Sequence, residues 1–231
     1  MGIQFKDLSH SLSLKDRVYY SVRDQIINGT LAPGSRLLEE ELSKAMHISR
    51  APIREALNML EKDGFTTIIP RKGAFVSTIT KKDVEDIWEM RILLEPYAAI
   101  HSYRNIPDEE INAMMEKLNR ILNITVEFDE YMNSDLELHE LLYKYVDNKL
   151  LKDTLKTIKA HSLRIRYFAE HTQHTRRNVI EAVTKDHIDV IEALKSRDKK
   201  YIHESVYNHV VKSQERSLKA IDKVFSSSKD K

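Results

Sequence analysis

A chain of 231 residues has room for one large domain or two modest ones, each able to bury a real core. Its 37 Lys+Arg against 36 Asp+Glu exclude a polyelectrolyte that binds nucleic acid or anionic membrane indiscriminately, so any DNA contact must be a focused basic patch. The absence of cysteine excludes a disulfide framework, a thiolate metal site and a thiol nucleophile, leaves metal binding to His, Asp and Glu, and suits a reducing cytoplasm.

The helix breakers are unevenly placed. All five glycines lie before residue 74 and all five prolines before residue 108, which predicts two domains, residues 1–80 and 81–231. No stretch approaches the roughly 18 apolar residues of a membrane span. The N-terminus has no apolar signal core, and Lys6 breaks the myristoylation pattern begun by Gly2, so the chain reads as soluble and cytoplasmic, with no membrane partner.

Residues 1–13 are mixed and expected to fray. Leu14, Val18, Val22, Ile26 and Ile27 then form a helical stripe ending at Asn28-Gly29. Leu31 to Leu37 reads as a turn around Pro33-Gly34, and a second helix starts at Glu39-Glu40-Glu41, where anionic groups oppose the positive end of the helix dipole. After the connector His47-Ile48-Ser49 comes a third helix over 49–63. Ile53, Ala56, Leu57 and Leu60 share one face of it, and Arg50 and Arg54 lie on another. Ser49 is expected to cap this helix through its side chain, Pro52 falls in the first turn where its missing N–H does no harm, and Gly64 marks the stop. The start of such a helix is where helix-turn-helix proteins reach base edges, and arginine matches guanine O6 and N7. An ordinary amphipathic helix with solvated arginines is the alternative. Two β-branched and aromatic runs, 65–69 and 74–77, then predict a hairpin with the basic tip Pro70-Arg71-Lys72-Gly73.

From residue 12 to 78, the order helix, Leu-Ala-Pro-Gly-Ser-Arg-Leu, helix, Ser-Arg-Ala-Pro-Ile-Arg-Glu-Ala-Leu, Leu-Glu-Lys-Asp-Gly and a hairpin with Arg-Lys-Gly-Ala-Phe-Val resembles the winged helix of GntR-family bacterial transcription regulators. The resemblance implies that Arg36, Ser49, Arg50, Pro52 and Arg54 face DNA, with Lys72 and Gly73 at a wing tip in the minor groove. Glu40 departs from the pattern, since some members carry a DNA-contacting arginine there.

The remainder predicts an all-α antiparallel bundle of six helices near 81–104, 108–122, 126–146, 149–171, 175–196 and 199–224. Ile87, Met90, Leu94, Ala98 and Ala99 are assigned to the apolar side of the first, which Pro96 is expected to kink. Asp135 and His139 are four residues apart, so both project from one helix face. His187 and His209 fall on apolar stripes, and a shared metal would satisfy all three imidazoles, although each could equally be a core histidine hydrogen-bonded to a neighbour. His10, His47, His101, His161, His171, His174 and His203 lack that phase and are expected at solvent or helix ends.

This half resembles the FCD effector-binding domain of the FadR subfamily, in a length close to its VanR-like branch. The resemblance implies a metal on Asp135, His139, His187 and His209, and an effector-binding role for Arg91, for which an i,i+4 ion pair with Glu95 is the alternative. An O/N3 donor set suits Zn²⁺, Ni²⁺, Mn²⁺ or Fe²⁺. Arg164 and Arg166 are assigned to a solvated face. The expected protein is therefore a homodimeric, non-enzymatic regulator of a double-stranded DNA operator, controlled by a small organic acid. A metal-dependent enzyme, or a helical interaction module without a small ligand, are the alternatives.

Overall fold

The computed structural model describes residues 12–124, 128–173 and 177–227, and divides the chain into two compact units, Met1–Thr78 and Ile79–Lys231.

In the first unit, α1 (Leu14–Ile27) starts at a capping box in which Ser13 and Asp16 satisfy each other's backbone N–H groups. It buries Val18, Tyr19, Val22, Ile26 and Ile27, and packs on α3 (Arg50–Lys62). Helix α3 buries Ile53, Ala56, Leu57 and Leu60, the stripe its periodicity predicts. Tyr19 Oη ties the two helices by donating to Asp63 at 2.6 Å. Between them, α2 (Glu39–Met46) ends at His47, which takes the left-handed conformation (φ 54°) that turns the chain into α3.

Two expectations for this unit are corrected. Ser49 has the extended backbone of an N-cap, but its side chain makes no capping bond. Pro52 contributes to this: it occupies the third helical position, one of the two whose N–H a capping serine can bond, and proline has none. The segment read wholly as a turn also contains a strand, β1 (Arg36–Leu37). It pairs antiparallel with β3 (Gly73–Val76), which pairs in turn with β2 (Thr66–Ile69), giving the sheet order β1-β3-β2. Two residues are too few to show a strand period. The strand is fixed instead by the Pro33-Gly34 turn, with Gly34 N–H donating to Val76 O and Val76 N–H to Ser35 O, both at 2.9 Å.

The second unit contains six helices among the described residues: α4 (Lys81–Ser102), α5 (Asp108–Asn123), α6 (Phe128–Lys144), α7 (Lys149–Gln173), α8 (Arg177–Ser196) and α9 (Lys199–Ser227). Helix α4 opens on a Thr80/Asp83 capping box, runs on past Pro96, and lies against α6, α7 and α9. Helix α8 packs on α5 and α9, and the core between them is built on Trp88, Ile111, Leu118, Leu138, Val190, Leu194, Val206 and Val210. Arg197, in the left-handed conformation (φ 58°), joins the α8–α9 turn to the α4–α5 loop by donating to the carbonyls of Tyr103 and Ile106 and to the Asp108 carboxylate.

The buried side of α4 differs from the expected one. Met90 is exposed, and the buried stripe is Val84, Trp88, Arg91, Glu95, Ala98, Ala99 and Ser102. A charged pair occupies two positions of a helical stripe whose other members are small or apolar, so counting apolar residues alone shifts the face.

Replacing Thr80 by alanine removes the acceptor for the Asp83 N–H. This should destabilise the protein by about 1 kcal/mol, read as a lowered denaturant midpoint with unchanged slope.

Candidate functional site

The helical unit gathers the four residues that the sequence singles out for metal binding. His139 and Asp135 come from α6, one turn apart, His187 from α8 and His209 from α9, and all four are buried. The three imidazoles offer ligand nitrogens within 4.8 Å of one another. His209 Nε2 is 3.3 Å from His139 Nε2, and Asp135 Oδ1 lies 3.2 Å from His187 Nε2 and 3.7 Å from His139 Nε2.

His187 Nδ1 and His209 Nδ1 find no hydrogen-bond partner among the described residues, and His187 Nε2 meets only the Asp135 carboxylate, without hydrogen-bond geometry. Leaving such a group buried and unpaired costs about 1–3 kcal/mol. Burial drives the proton affinities of both rings down, further than the neighbouring Asp135 carboxylate raises them, so both are held as neutral imidazoles. Neutral, convergent and unpaired nitrogens beside a carboxylate are the donor set that a divalent cation requires, and the residues present fit one.

The surroundings contain groups that the sequence reading missed. Glu95 Oε2 accepts from His139 Nδ1 at 2.8 Å, while Glu95 Oε1 takes the Arg91 Nε–H at 2.6 Å. Arg91 also donates through Nη1 to Ser162 Oγ at 3.0 Å and through Nη2 to His139 Nε2 at 2.9 Å. Arginine can only donate, so this contact needs the Nε2 lone pair and puts the His139 proton on Nδ1, facing Glu95. A carboxylate behind a histidine in this way fixes its tautomer and aims its other nitrogen.

Burial alone would raise the Glu95 pKa, but Arg91 and His139 outweigh it and hold the carboxyl at about 2. For His139 burial pushes down, Glu95 and then Asp135 push up, and the net direction is up. Asp135 stays ionised because Arg166, whose Nη1 bonds Oδ2, together with His139, outweighs its desolvation.

Arg91 therefore stands at the site and also makes the ion pair given as its alternative. Arg164 and Arg166 correct the solvated-face expectation, since Arg164 is 5% exposed and the Arg166 side chain 15%. A helical signal existed: Ser162 and Arg166 continue the buried stripe of Leu151, Leu155 and Ile158 on α7. A narrow cavity of about 10 Å³, room for roughly one water, is lined by Arg91, Glu95, His139, Tyr143, Ser162 and Arg166 among others. The buried Tyr143 Oη has no hydrogen-bond partner there among the described residues. Of the remaining histidines, His47, His101 and His203 are exposed and His161 half-buried, while His10 and His174, and the side chain of His171, lie outside what the structure describes.

In the winged unit the expected DNA-facing residues Arg36, Ser49, Arg50, Arg54, Lys72 and Gly73 are exposed, and Pro52 is half-buried. Arg36 on β1 reaches the wing tip, its guanidinium 3.9 Å from where a Cβ on Gly73 would stand. Gly73 has φ 97°, a conformation that L side chains rarely adopt. On α3, Arg54 and Arg50 are each held by a glutamate of α2, Glu39 and Glu40.

A winged helix-turn-helix followed by an all-helical unit with a polar, histidine-lined interior is the architecture of a two-domain DNA-binding regulator. Residues 14–76 match the model of the bacterial regulatory proteins of the gntR family, and residues 86–212 match the FCD domain. The chain belongs to the GntR family of transcription regulators and carries an FCD domain. It is 30% identical over 194 residues to the HTH-type transcriptional regulator YdhC of Bacillus subtilis, covering 83% of this chain and 85% of that one. Its fold is shared with E. coli McbR/YncC at a TM-score of 0.76 and 18% identity, over 90% of this chain and 99% of that one. It is shared also with the Zn²⁺-bound FCD domain of TM0439 at a TM-score of 0.51 and 19% identity, over 63% and 98%. Among the described residues no helix is long and apolar enough to cross a membrane.

Replacing Glu95 by leucine leaves Arg91 charged and buried without its carboxylate, and should destabilise the protein by about 3–5 kcal/mol. Changing Arg91 to methionine as well should recover part of that loss. Chemical denaturation of the two variants checks both outcomes.

Proposed function

We propose that the chain is a homodimeric, cytoplasmic regulator whose affinity for a near-palindromic operator is set by a small organic acid held at a divalent metal in the helical unit. One observation carries this reading: three buried imidazoles converge beside Asp135, and two of them, His187 and His209, keep nitrogens without a hydrogen bond among the described residues. Asp135, His139, His187 and His209 would hold the ion. Zn²⁺, Ni²⁺, Mn²⁺ and Fe²⁺ all accept such a set, and the Zn²⁺-bound FCD domain of TM0439 supports the assignment. The metal, when bound, supplies a Lewis-acidic anchor for a carboxylate.

Charge argues for an anionic effector. Arg91 and Arg166 balance Glu95 and Asp135, so with neutral histidines the network carries no net charge. A divalent ion then leaves an excess that an acid would neutralise. Arg91, the unpaired Tyr143 hydroxyl and Ser162 lie beside His139 and would orient the acid once their one-water cavity widened, with Arg91 exchanging part of its pairing to Glu95 and His139 for the carboxylate.

In the winged unit, Arg50 and Arg54 would read bases in the major groove. The Ser49 hydroxyl, left unused by the helix, would serve a phosphate. Arg36, Lys72 and Gly73 would form the minor-groove contact. Acid binding would alter the spacing of the two heads in the dimer and so the operator affinity.

Purified protein should carry a divalent metal that His187→Ala loses. Small organic acids should raise the thermal midpoint before chelation and not after it, because only a ligand selective for the native state stabilises it. Protein without metal, and indifferent to chelation, would remove the sensory half of this reading. For the DNA half, Arg54→Ala should weaken binding to duplexes enriched from a random library by roughly 1–3 kcal/mol, read by fluorescence anisotropy.

A further inference from the structure

The two α3 arginines that face DNA are held by α2 in different ways. Arg54 is gripped side-on: its Nε–H donates to Glu39 Oε1 at 3.0 Å and its Nη2 to Oε2 at 2.9 Å. Glu40 takes Arg50 by one bond only, from Nη2 at 3.0 Å, and divides itself with Lys44, whose Nζ stands 2.9 Å away. Arg54 thus has its plane and reach fixed by two parallel bonds, whereas Arg50 can swing about one.

A guanidinium has five N–H groups in a rigid fork. Glu39 uses one from Nε and one from Nη2, leaving both on Nη1 and the second on Nη2. That remaining end presents two parallel donors, the pattern that matches guanine O6 and N7. Phosphates, by contrast, accept a guanidinium from many directions, and a carboxylate next to it weakens its attraction for them. We propose that Glu39 is a specificity-determining positioning residue, which commits Arg54 to a guanine in the major groove at the expense of backbone contacts. The proposal rests on the DNA-binding reading of α3. Glu39 remains ionised for the task, because the hydrogen bonds from Arg54 hold its carboxyl below the usual range.

The test uses the full chain and two duplexes, one enriched from a random library and one of scrambled sequence, titrated over a range of salt. Glu39→Gln keeps the size and removes the charge. Glu40→Gln makes the same charge change one residue away, where the grip is single and shared. Glu39→Gln should lower the ratio of specific to scrambled affinity at least about fivefold and steepen the salt dependence on scrambled DNA by about one phosphate. Glu40→Gln should raise both affinities together and leave the ratio within about twofold. Glu40 is exposed at 55% and Glu39 half-buried at 33%, each paired only at the surface, so both variants should keep a melting temperature close to the parent's. A ratio that moves no further in Glu39→Gln than in Glu40→Gln overturns the positioning role and reduces Glu39 to a charge. Arg54→Ala, measured alongside, separates the failures: full operator affinity in that variant discards the recognition helix itself, and loss of affinity with an unmoved Glu39→Gln ratio discards only the present proposal.

Discussion

The helical unit depends on an arrangement that proteins usually avoid, two arginines and two carboxylates carried together into a buried interior. Arg91 and Glu95 are exposed at only 3% and 6% of their side chains, and Asp135 at 4%. Each ion taken out of water costs several kcal/mol unless its partners return it. Here the return is nearly complete: Glu95 accepts from Arg91 and His139, Asp135 from Arg166, and Arg91 reaches Ser162 and His139 as well. These bonds join α4, α6 and α7 through polar groups where apolar packing alone would not fix their relative register. Unsatisfied buried atoms nevertheless remain beside this network, on His187 and His209 and at Tyr143.

The same network explains why the imidazoles are available. A lone buried histidine would recruit the nearest carboxylate. Here one oxygen of Asp135 is engaged by Arg166, the other is shared between two rings, and Glu95 is spent on the back of His139. Carboxylates that would have quenched the rings are instead used to aim them. Helix α4 carries two members of this network and follows β3 in the chain after only four residues.

How far the sequence revealed this depended on the physical signal involved. Helix α3 was legible because four apolar residues at helical spacing stood between breakers, and it buries those same residues. Asp135 and His139 were legible because a four-residue step has one meaning on a helix. His187 and His209 could be suggested by phase but not joined, since they belong to different helices and only packing brings them within 4.8 Å. Arg166 and the exposed Met90 were misread for a common reason: apolar periodicity assigns charged residues outward, and a paired charge inside breaks that rule. Glu95, named only as the ion-pair partner of Arg91, makes that pair and reaches His139 besides. Strand β1 was lost for a simpler one, since a two-residue strand is defined by its partner and not by its own composition.

One interaction, a carboxylate accepting from arginine, appears in both units with opposite consequences. In the interior, Arg91 and Glu95 have no water to fall back on, so parting them strands a charge and the pair behaves as part of the fold. On the winged unit, Arg54 is exposed and Glu39 half-buried, at 66% and 33%, where solvent screens such a pair and it contributes little. In the proposed base-reading role of Arg54, that weakness would suit the pair to DNA. A guanidinium held strongly would not turn to a base, and one held not at all would lose rotamer entropy on every encounter. A bidentate grip of small net energy sets direction without setting affinity. The difference between the two pairs is therefore not in their chemistry, which is the same, but in the dielectric around them, and that is decided by which face of its helix each arginine occupies.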